Sequence, residues 1–370
     1  MGSDVRVAFR ADASFDIGTG HVMRCLTLAG RLRDKGAQVS FVCRELPGAL
    51  CGFVEGRGFE VFRLPYADGG FAPSGSDMAH AAWLGTGWEK DAEETAASLR
   101  GAGGVDWLVA DHYALDSRWE KRLRSSADRL MVIDDIADRA HDCDILLDQN
   151  LYEGMELRYQ GLVPDGCAML LGPKYALLRP EFVEARKTLR RRDGSVGRIM
   201  VFFGGSDLTD ETSKALVAIK SLARPDIAVD VVTGSSNARR EHVRVLCGSM
   251  PNCEYHCQVD NMAELMARAD LAVGAGGTTT WERCCTGLPT LVVAVAQNQV
   301  EIARDCGDAD ALFYMGSWDE VDAEAMTGKL RELLDDPGRL TRVGGKAAAI
   351  VDGQGADRAA DIILKRPVAV

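Results

Sequence analysis

The sequence predicts an α/β protein of two Rossmann-like domains that face each other across a cleft. Three observations lead there. The chain has 370 residues, more than the roughly 250–300 at which a single core stops growing. Short apolar runs alternate with helical patterns along most of its length, the order that builds parallel sheets with helical crossovers. Glycine loops follow apolar strands in both halves, and ligands of such sheets bind beyond the carboxyl ends of the strands. The expected division is 1–190 for a first domain, 191–350 for a second, and 351–370 for a terminal helix packing back on the first.

Val5–Phe9 reads as a buried strand. From Gly20 to Lys35 the apolar residues Val22, Cys25, Leu26, Ala29 and Leu32 recur on one helical face, and Gly36 ends the helix. Gln38–Cys43 and Glu60–Leu64 are strands, with a short helix over Phe53–Gly58 between them. Residues 66–90, rich in Gly, Ala and Ser and carrying Trp83 and Trp88, break the rhythm and read as a long surface loop or insertion. A helix over Lys90–Leu99 resumes the pattern. The strands Trp107–Ala110, Leu130–Ile133 and Asp144–Leu147 follow.

Ala185–Arg198 is basic and lacks an apolar period, as an interdomain linker with solvated arginines would. The scheme then repeats. Strands are expected at Arg198–Phe203, Asp230–Thr233, Leu271–Ala275 and Pro289–Val295, and helices at Thr212–Leu222, Ala263–Arg268 and Trp281–Thr286. The tail after Trp318 reads as helical and carries no visible chemistry.

Composition narrows the function. The net charge of −12 argues against a nucleic-acid partner, which normally meets a basic field. It leaves an anionic ligand open, since one local cluster of backbone N–H groups binds phosphate on an acidic protein. The 11 cysteines are odd in number and no secretory leader precedes them, so reduced, mostly buried thiols in a cytoplasmic protein are expected. No run approaches the roughly 18–20 apolar residues of a membrane span. No H-x-x-x-H occurs, and the triplets Asp142-Cys143-Asp144 and Asp308-Ala309-Asp310 sit apart from any glycine loop, so no metal is expected.

Five constellations could carry chemistry. The first runs from Arg10 through Asp12 to Gly18-Thr19-Gly20-His21, between a strand and a helix. Gly18 and Gly20 let a ligand approach the backbone, and His21 stands on the first helical turn. A histidine with the ordinary pKa of about 6.5 accepts a proton at neutral pH. Met23 occupies the third glycine position of a dinucleotide fingerprint, so the loop is not one. A helix-capping histidine fits the pattern as well as a base does. The second is Asp111-His112-Tyr113 at a strand end, suited to substrate contact or to orienting His21. The third is Gly204-Gly205-Ser206-Asp207, whose backbone suits phosphate and whose Ser206 could cap the next helix. The fourth is Gly276-Gly277-Thr278-Thr279-Thr280-Trp281-Glu282, with hydroxyl donors and a carboxylate suited to a ribose diol. A plain capping box is the alternative for Glu282, and the presence of two glycine loops in one domain favours the ligand reading. The fifth is Gln297-Asn298-Gln299, three amides after a strand, suited to sugar hydroxyl or acetamido groups or to a polar turn.

Taken together, RADASFDIGTGHVMRCLTLA, ADHY, IDDIADRAHDCDILLDQN, YQGLVP, GPKYALLRPEF, FFGGSD, GAGGTTTWE and AQNQ resemble the UDP-2,4-diacetamido-2,4,6-trideoxy-β-L-altropyranose hydrolases of pseudaminic acid biosynthesis, over about Val5–Leu312. The second-half glycine loops are shared more widely with the glycosyltransferase-B fold and the lipid II glycosyltransferase. The resemblance implies a glycosyltransferase-B-like fold and a UDP-sugar substrate. It also implies cleavage of the anomeric C–O bond by water with inversion, and no cofactor or metal. It assigns the catalytic base to His21, a catalytic role to Tyr113, ribose binding to Glu282 and substrate contact to Asn298. An inverting transferase of the same fold and a non-catalytic nucleotide-sugar sensor are the competing expectations.

Overall fold

The computed structural model describes residues 5–67, 78–101 and 103–365. They fall into two compact units. The first holds the residues up to Asn150, Gly154–Arg179 and the segment from Gln354 on; the second holds Leu151–Glu153 and Pro180–Gly353.

The first unit is a seven-stranded sheet: β1 (Arg6–Ala11), β2 (Gln38–Arg44), β3 (Glu60–Leu64), β4 (Val105–Asp111), β5 (Ala127–Ile133), β6 (Ile145–Asp148) and β7 (Ala168–Leu171). Its spatial order is β3-β2-β1-β4-β5-β6-β7, and each pairing is parallel. Both faces are covered, so the strands are largely apolar, with successive residues serving opposite cores. Val7 and Phe9 of β1 join one core, which includes residues of α1 (Gly20–Asp34). Ala8 joins the other, with residues of α3 (Trp88–Gly101) and α4 (Ser117–Leu123). The short α2 (Cys51–Gly56) lies between β2 and β3 in sequence.

The second unit opens with α5 (Pro180–Lys187) and has a six-stranded parallel sheet. Its strands are β8 (Arg198–Phe202), β9 (Ala228–Thr233), β10 (Cys253–Cys257), β11 (Leu271–Ala275), β12 (Thr290–Ala294) and β13 (Phe313–Ser317), in the order β10-β9-β8-β11-β12-β13. Its further helices are α6 (Glu211–Ser221), α7 (Arg240–Gly248), α8 (Met262–Arg268), α9 (Thr279–Cys285), α10 (Gln297–Asp308), α11 (Ala323–Leu334) and α12 (Pro337–Ile350). The last helix, α13 (Gly355–Leu364), returns to the first unit and packs on α1.

Three local readings are corrected. Residues 78–90 are not all loop: Ala81–Leu84 forms a 3-10 turn with Leu84 buried, and α3 begins at Trp88. Residues 68–77 of the expected insertion lie outside the described residues. The arginines after Ala185 are not simply solvated. Arg192 donates to the carbonyls of Met266, Ala269, Thr286 and Gly287, satisfying the carboxyl ends of α8 and α9. Burial lowers its pKa to about 10. Gln297-Asn298-Gln299 is not a loop after a strand but the first turn of α10.

No disulfide occurs among the described residues, and eight of the eleven thiols are buried. No helix among them is long and apolar enough to cross a membrane.

Candidate functional site

In each sheet the strand order reverses once, between β1 and β4 and between β8 and β11. At such a switch point the connections leave in opposite directions and open a crevice at the strands' carboxyl ends. Four of the five constellations singled out from sequence follow these four strands, and the fifth follows β12.

At the first switch point the loop after β1 is folded on itself. Ser14 Oγ accepts from the backbone N–H groups of Asp16 and Ile17, and the Gly18 N–H donates to the Ser14 carbonyl. Gly18 takes φ +76, and a Cβ there would touch nothing within 4 Å. Its glycine serves the left-handed turn. Gly20 starts α1 and is exposed.

His21 follows, 7% exposed. Its Nδ1 lies 2.6 Å from Asp111 Oδ1 at the end of β4. Asp111 is fully buried and also takes two bonds from Arg24, one helical turn beyond His21, at 2.6 and 2.7 Å. Burial works to raise the Asp111 carboxyl, but Arg24 and His21 hold it well below the usual range, so it is an anion. An anionic carboxylate accepts only, so Nδ1 carries the proton and Nε2 presents its lone pair. Nε2 has no hydrogen-bond partner among the described residues.

Tyr113 meets the His21 ring edge-on, with centroids 4.6 Å apart. Its hydroxyl donates to Asp135 Oδ1 at 2.5 Å, and Arg24 binds the other Asp135 oxygen at 2.8 Å. Burial and Asp135 push the phenol well above its ordinary value, so it stays neutral. His80 and Trp83 complete an aromatic cluster, 5.4 and 5.8 Å from the Tyr113 ring. Arg24 was legible as the residue three positions after His21 on one helix face. His80 carried no sequence signal.

Asp12 and His112 stand behind this surface rather than on it. Asp12 is fully buried, binds Arg10 at 2.6 Å and accepts the Arg44 N–H at 2.7 Å. His112 accepts the Ala114 N–H on Nδ1, and burial lowers its pKa to about 4. Asp12 Oδ2 and His112 Nε2 lie 3.5 Å apart, both buried. Asp111 is likewise fully buried and holds the His21 imidazole.

At the second switch point, Asp207 rather than Ser206 caps the helix, accepting from the Glu211 and Thr212 N–H groups at 2.9 Å each. Gly205 and Ser206 are exposed and Gly204 is half-buried. A Cβ on Gly234 would come within 2.4 Å of the Gly205 carbonyl, so the loops after β8 and β9 pack backbone to backbone.

Across the switch point, Gly276 is buried, Gly277, Thr279 and Glu282 are half-buried, and Thr278 is exposed. Thr278 makes no side-chain capping bond. Beneath this loop lies Arg283, 2% exposed, donating to the Ala275 carbonyl and to the hydroxyls of Thr279 and Thr280. It has no ion pair among the described residues, and burial lowers its pKa to about 10. A cation buried without a counter-anion is costly.

Gln299 is half-buried. Its Oε1 accepts from the Gly276 and Val295 N–H groups and ties the ends of β11 and β12 together. Asn298 is exposed on the same turn.

The described residues include one grouping with metal-ligand spacing: Asp230, Glu254 and His256. Asp230 is already bound by Arg198, Arg268 and His256. Asp142 and Asp144 likewise share Arg124.

With these loops in place, the resemblances become informative. Residues 199–351 match the glycosyltransferase family 28 C-terminal domain. An uncharacterised protein of Methanocaldococcus jannaschii is 26% identical over 82% of this chain and 58% of its own. Spore coat polysaccharide biosynthesis protein SpsG of Bacillus subtilis is 31% identical over 56% of this chain and 61% of its own. The chain thus spans about three fifths of these two relatives. The UDP-2,4-diacetamido-2,4,6-trideoxy-β-L-altropyranose hydrolase of Campylobacter jejuni is 27% identical over 71% of this chain and 81% of its own. Among solved structures, MurG of Acinetobacter baumannii superposes with a TM-score of 0.67 at 15% identity, covering 98% of this chain and all of that one. The fold is that of the glycosyltransferase-B class: two parallel-sheet α/β domains.

Proposed function

We propose that this chain hydrolyses a UDP-sugar, releasing UDP and the free sugar. The substrate is UDP-2,4-diacetamido-2,4,6-trideoxy-β-L-altropyranose, as named for the Campylobacter relative. The observation that carries the reading is the Asp111–His21 pair: a buried anion fixing the proton on Nδ1, with Nε2 unclaimed. Water attacks C1 as Nε2 takes its proton. The new bond is from the water oxygen to C1, and the bond from C1 to the phosphate oxygen breaks with inversion. UDP departs with the electron pair, and Asp111 stabilises the imidazolium.

The leaving diphosphate is the task of the glycine loops after β8 and β11. The unpaired Arg283 cation under the second loop supports that division of roles. Glu282 takes the ribose hydroxyls and Asn298 the sugar. Tyr113, its hydroxyl committed to Asp135, holds the edge of the imidazole.

A transferase is the second reading, favoured by the match of residues 199–351 to a glycosyltransferase domain. In it an acceptor hydroxyl replaces water at the same base. Incubation with the UDP-sugar in the absence of any acceptor separates the two. UDP release supports the hydrolase, and release only on adding an acceptor supports the transferase. His21→Ala should lower turnover roughly 10²–10⁴-fold with UDP affinity nearly unchanged; near-normal turnover would remove His21 from the mechanism.

A further inference from the structure

Beside the loop that leads into His21 lies a pocket of about 260 Å³. Its walls include Phe15, Asp16, Leu46, Tyr66, Ala82 and Trp83, all in the first unit. The volume is below the roughly 300–1,000 Å³ of a site for a whole small ligand. It suits one substituent of a larger substrate.

The pocket is connected to the base. The 3-10 turn Ala81–Leu84 is anchored by buried Leu84 and presents Trp83 to the pocket. The Trp83 ring stacks on Tyr113 at an interplanar angle of 27°, and Tyr113 meets His21. Gly85 ends the turn at φ +68. A Cβ there would approach Leu46 Cδ2 to 2.7 Å and the Tyr66 ring to 3.1 Å, so this wall is packed up to the glycine.

The lining is mixed in a particular way. Leu46, Pro47, Tyr66 and Trp83 offer apolar surface. Asp16 is exposed and has no ion pair among the described residues. Ser14 Oγ accepts two backbone N–H groups and keeps its own proton to donate. An acylamido group needs this set: apolar walls for its methyl, an acceptor for its N–H and a donor for its carbonyl.

We propose that this pocket receives an N-acyl group of the substrate's sugar and that Trp83 determines specificity for it. The proposal rests on the UDP-sugar hydrolase reading and adds a binding subsite to it. The side chains at Asp16 and Ser14 hold the amide, and the Trp83 ring covers the acyl carbon chain.

The test compares UDP release from two UDP-sugars that differ only in an N-acetyl group or a free hydroxyl at one carbon. Trp83→Ala removes the wall. Ala82→Phe fills the pocket from an exposed position that folding tolerates. Each should lower kcat/KM for the acetylated substrate roughly 10–200-fold, mainly through KM, and change the hydroxyl substrate far less. An equal change for both substrates overturns the proposal.

A second measurement needs no turnover. Saturation-transfer NMR with the free N-acetylated amino sugar should show transfer to the acetyl methyl in the wild type and its loss in Ala82→Phe. Unchanged transfer in that variant, or none in the wild type, overturns the pocket. Absence of UDP release with methyl transfer intact overturns the hydrolase reading and leaves the pocket standing.

Discussion

Replacing Asp148 with asparagine should stabilise the protein, and more so as pH rises. Asp148 ends β6, beside Asp134 at the end of β5. The buried Tyr159 hydroxyl lies 3.0 Å from the Asp134 carbonyl, 3.1 Å from Asp134 Oδ2 and 3.0 Å from Asp148 Oδ2. A hydroxyl has one proton, so it cannot donate to both carboxyl groups at once. The group is satisfied when Asp148 is protonated and donates to Tyr159, which donates to Asp134. Burial first, and then the Asp135 charge, push the Asp148 pKa up to about 8 from its ordinary 3.8.

For an acid whose folded pKa is raised, the unfolded chain sheds the proton first, so wild-type stability falls as pH climbs from 3.8 toward 8. At about 1.4 kcal/mol per pH unit, the wild type loses about 2–3 kcal/mol between pH 5 and pH 7 that D148N keeps. The amide retains an oxygen for the Asn150 N–H, now 2.9 Å from Oδ1, and gains a donor for Tyr159. Urea titrations of both proteins at pH 5, 6 and 7 read the difference directly. If the gap between them stays constant across that range, the protonated Asp148 is wrong.

Other perturbations follow from the same geometry. Asp111→Asn allows Nδ1 to become the acceptor, which puts the proton on Nε2; turnover should fall by roughly 10³–10⁴, with UDP affinity retained in a binding titration. His112 has its folded pKa lowered to about 4 from 6.5, so the stability it contributes is complete above 6.5 and is lost as pH falls toward 4. His112→Gln should therefore flatten the acid limb by about 2 kcal/mol between pH 7 and pH 5 in melts at matched salt. Arg283→Met removes a buried cation that has no counter-anion, so UDP affinity should fall at least tenfold in calorimetry while the thermal midpoint holds or rises. An unchanged affinity would detach Arg283 from the diphosphate.

Much of this architecture was legible because buried parallel strands are continuous apolar runs and the glycine loops punctuate them. The strand Leu271–Ala275 has the bounds expected from its apolar run alone. β10 was not legible, being a short edge strand with Glu254 and His256 in its middle. The segment holding Trp83 read as loop because its composition is loop-like, while its order comes from one buried leucine and a ring stack formed with a residue thirty positions away. At the site, sequence located the loops but not how polar atoms are spent. Asp12, His112 and Gln299 look like ligand contacts by position, yet each accepts at least one backbone N–H group from within the protein. Asp111 is the opposite case, since its two roles converge on one oxygen pair between His21 and Arg24.

The return of α13 to the first unit has a consequence for how the chain becomes active during synthesis. Ala356, Ala359, Ala360 and Ile363 complete the same core as Val22, Cys25 and Leu28 of the helix that carries His21. A Cβ on Gly355 would come within 2.3 Å of the Ala176 carbonyl, so the docking is close at its first residue. Domains emerging from the ribosome ordinarily fold in order of synthesis. Here the first unit to emerge is the last to be finished, because its missing layer is translated after the whole of the second. A nascent or truncated chain ending before Gln354 can form the second unit's sheet and its glycine loops, yet leaves the His21 helix with one flank bare. Completion of the second unit's sheet should therefore precede completion of the core around the His21 helix in time.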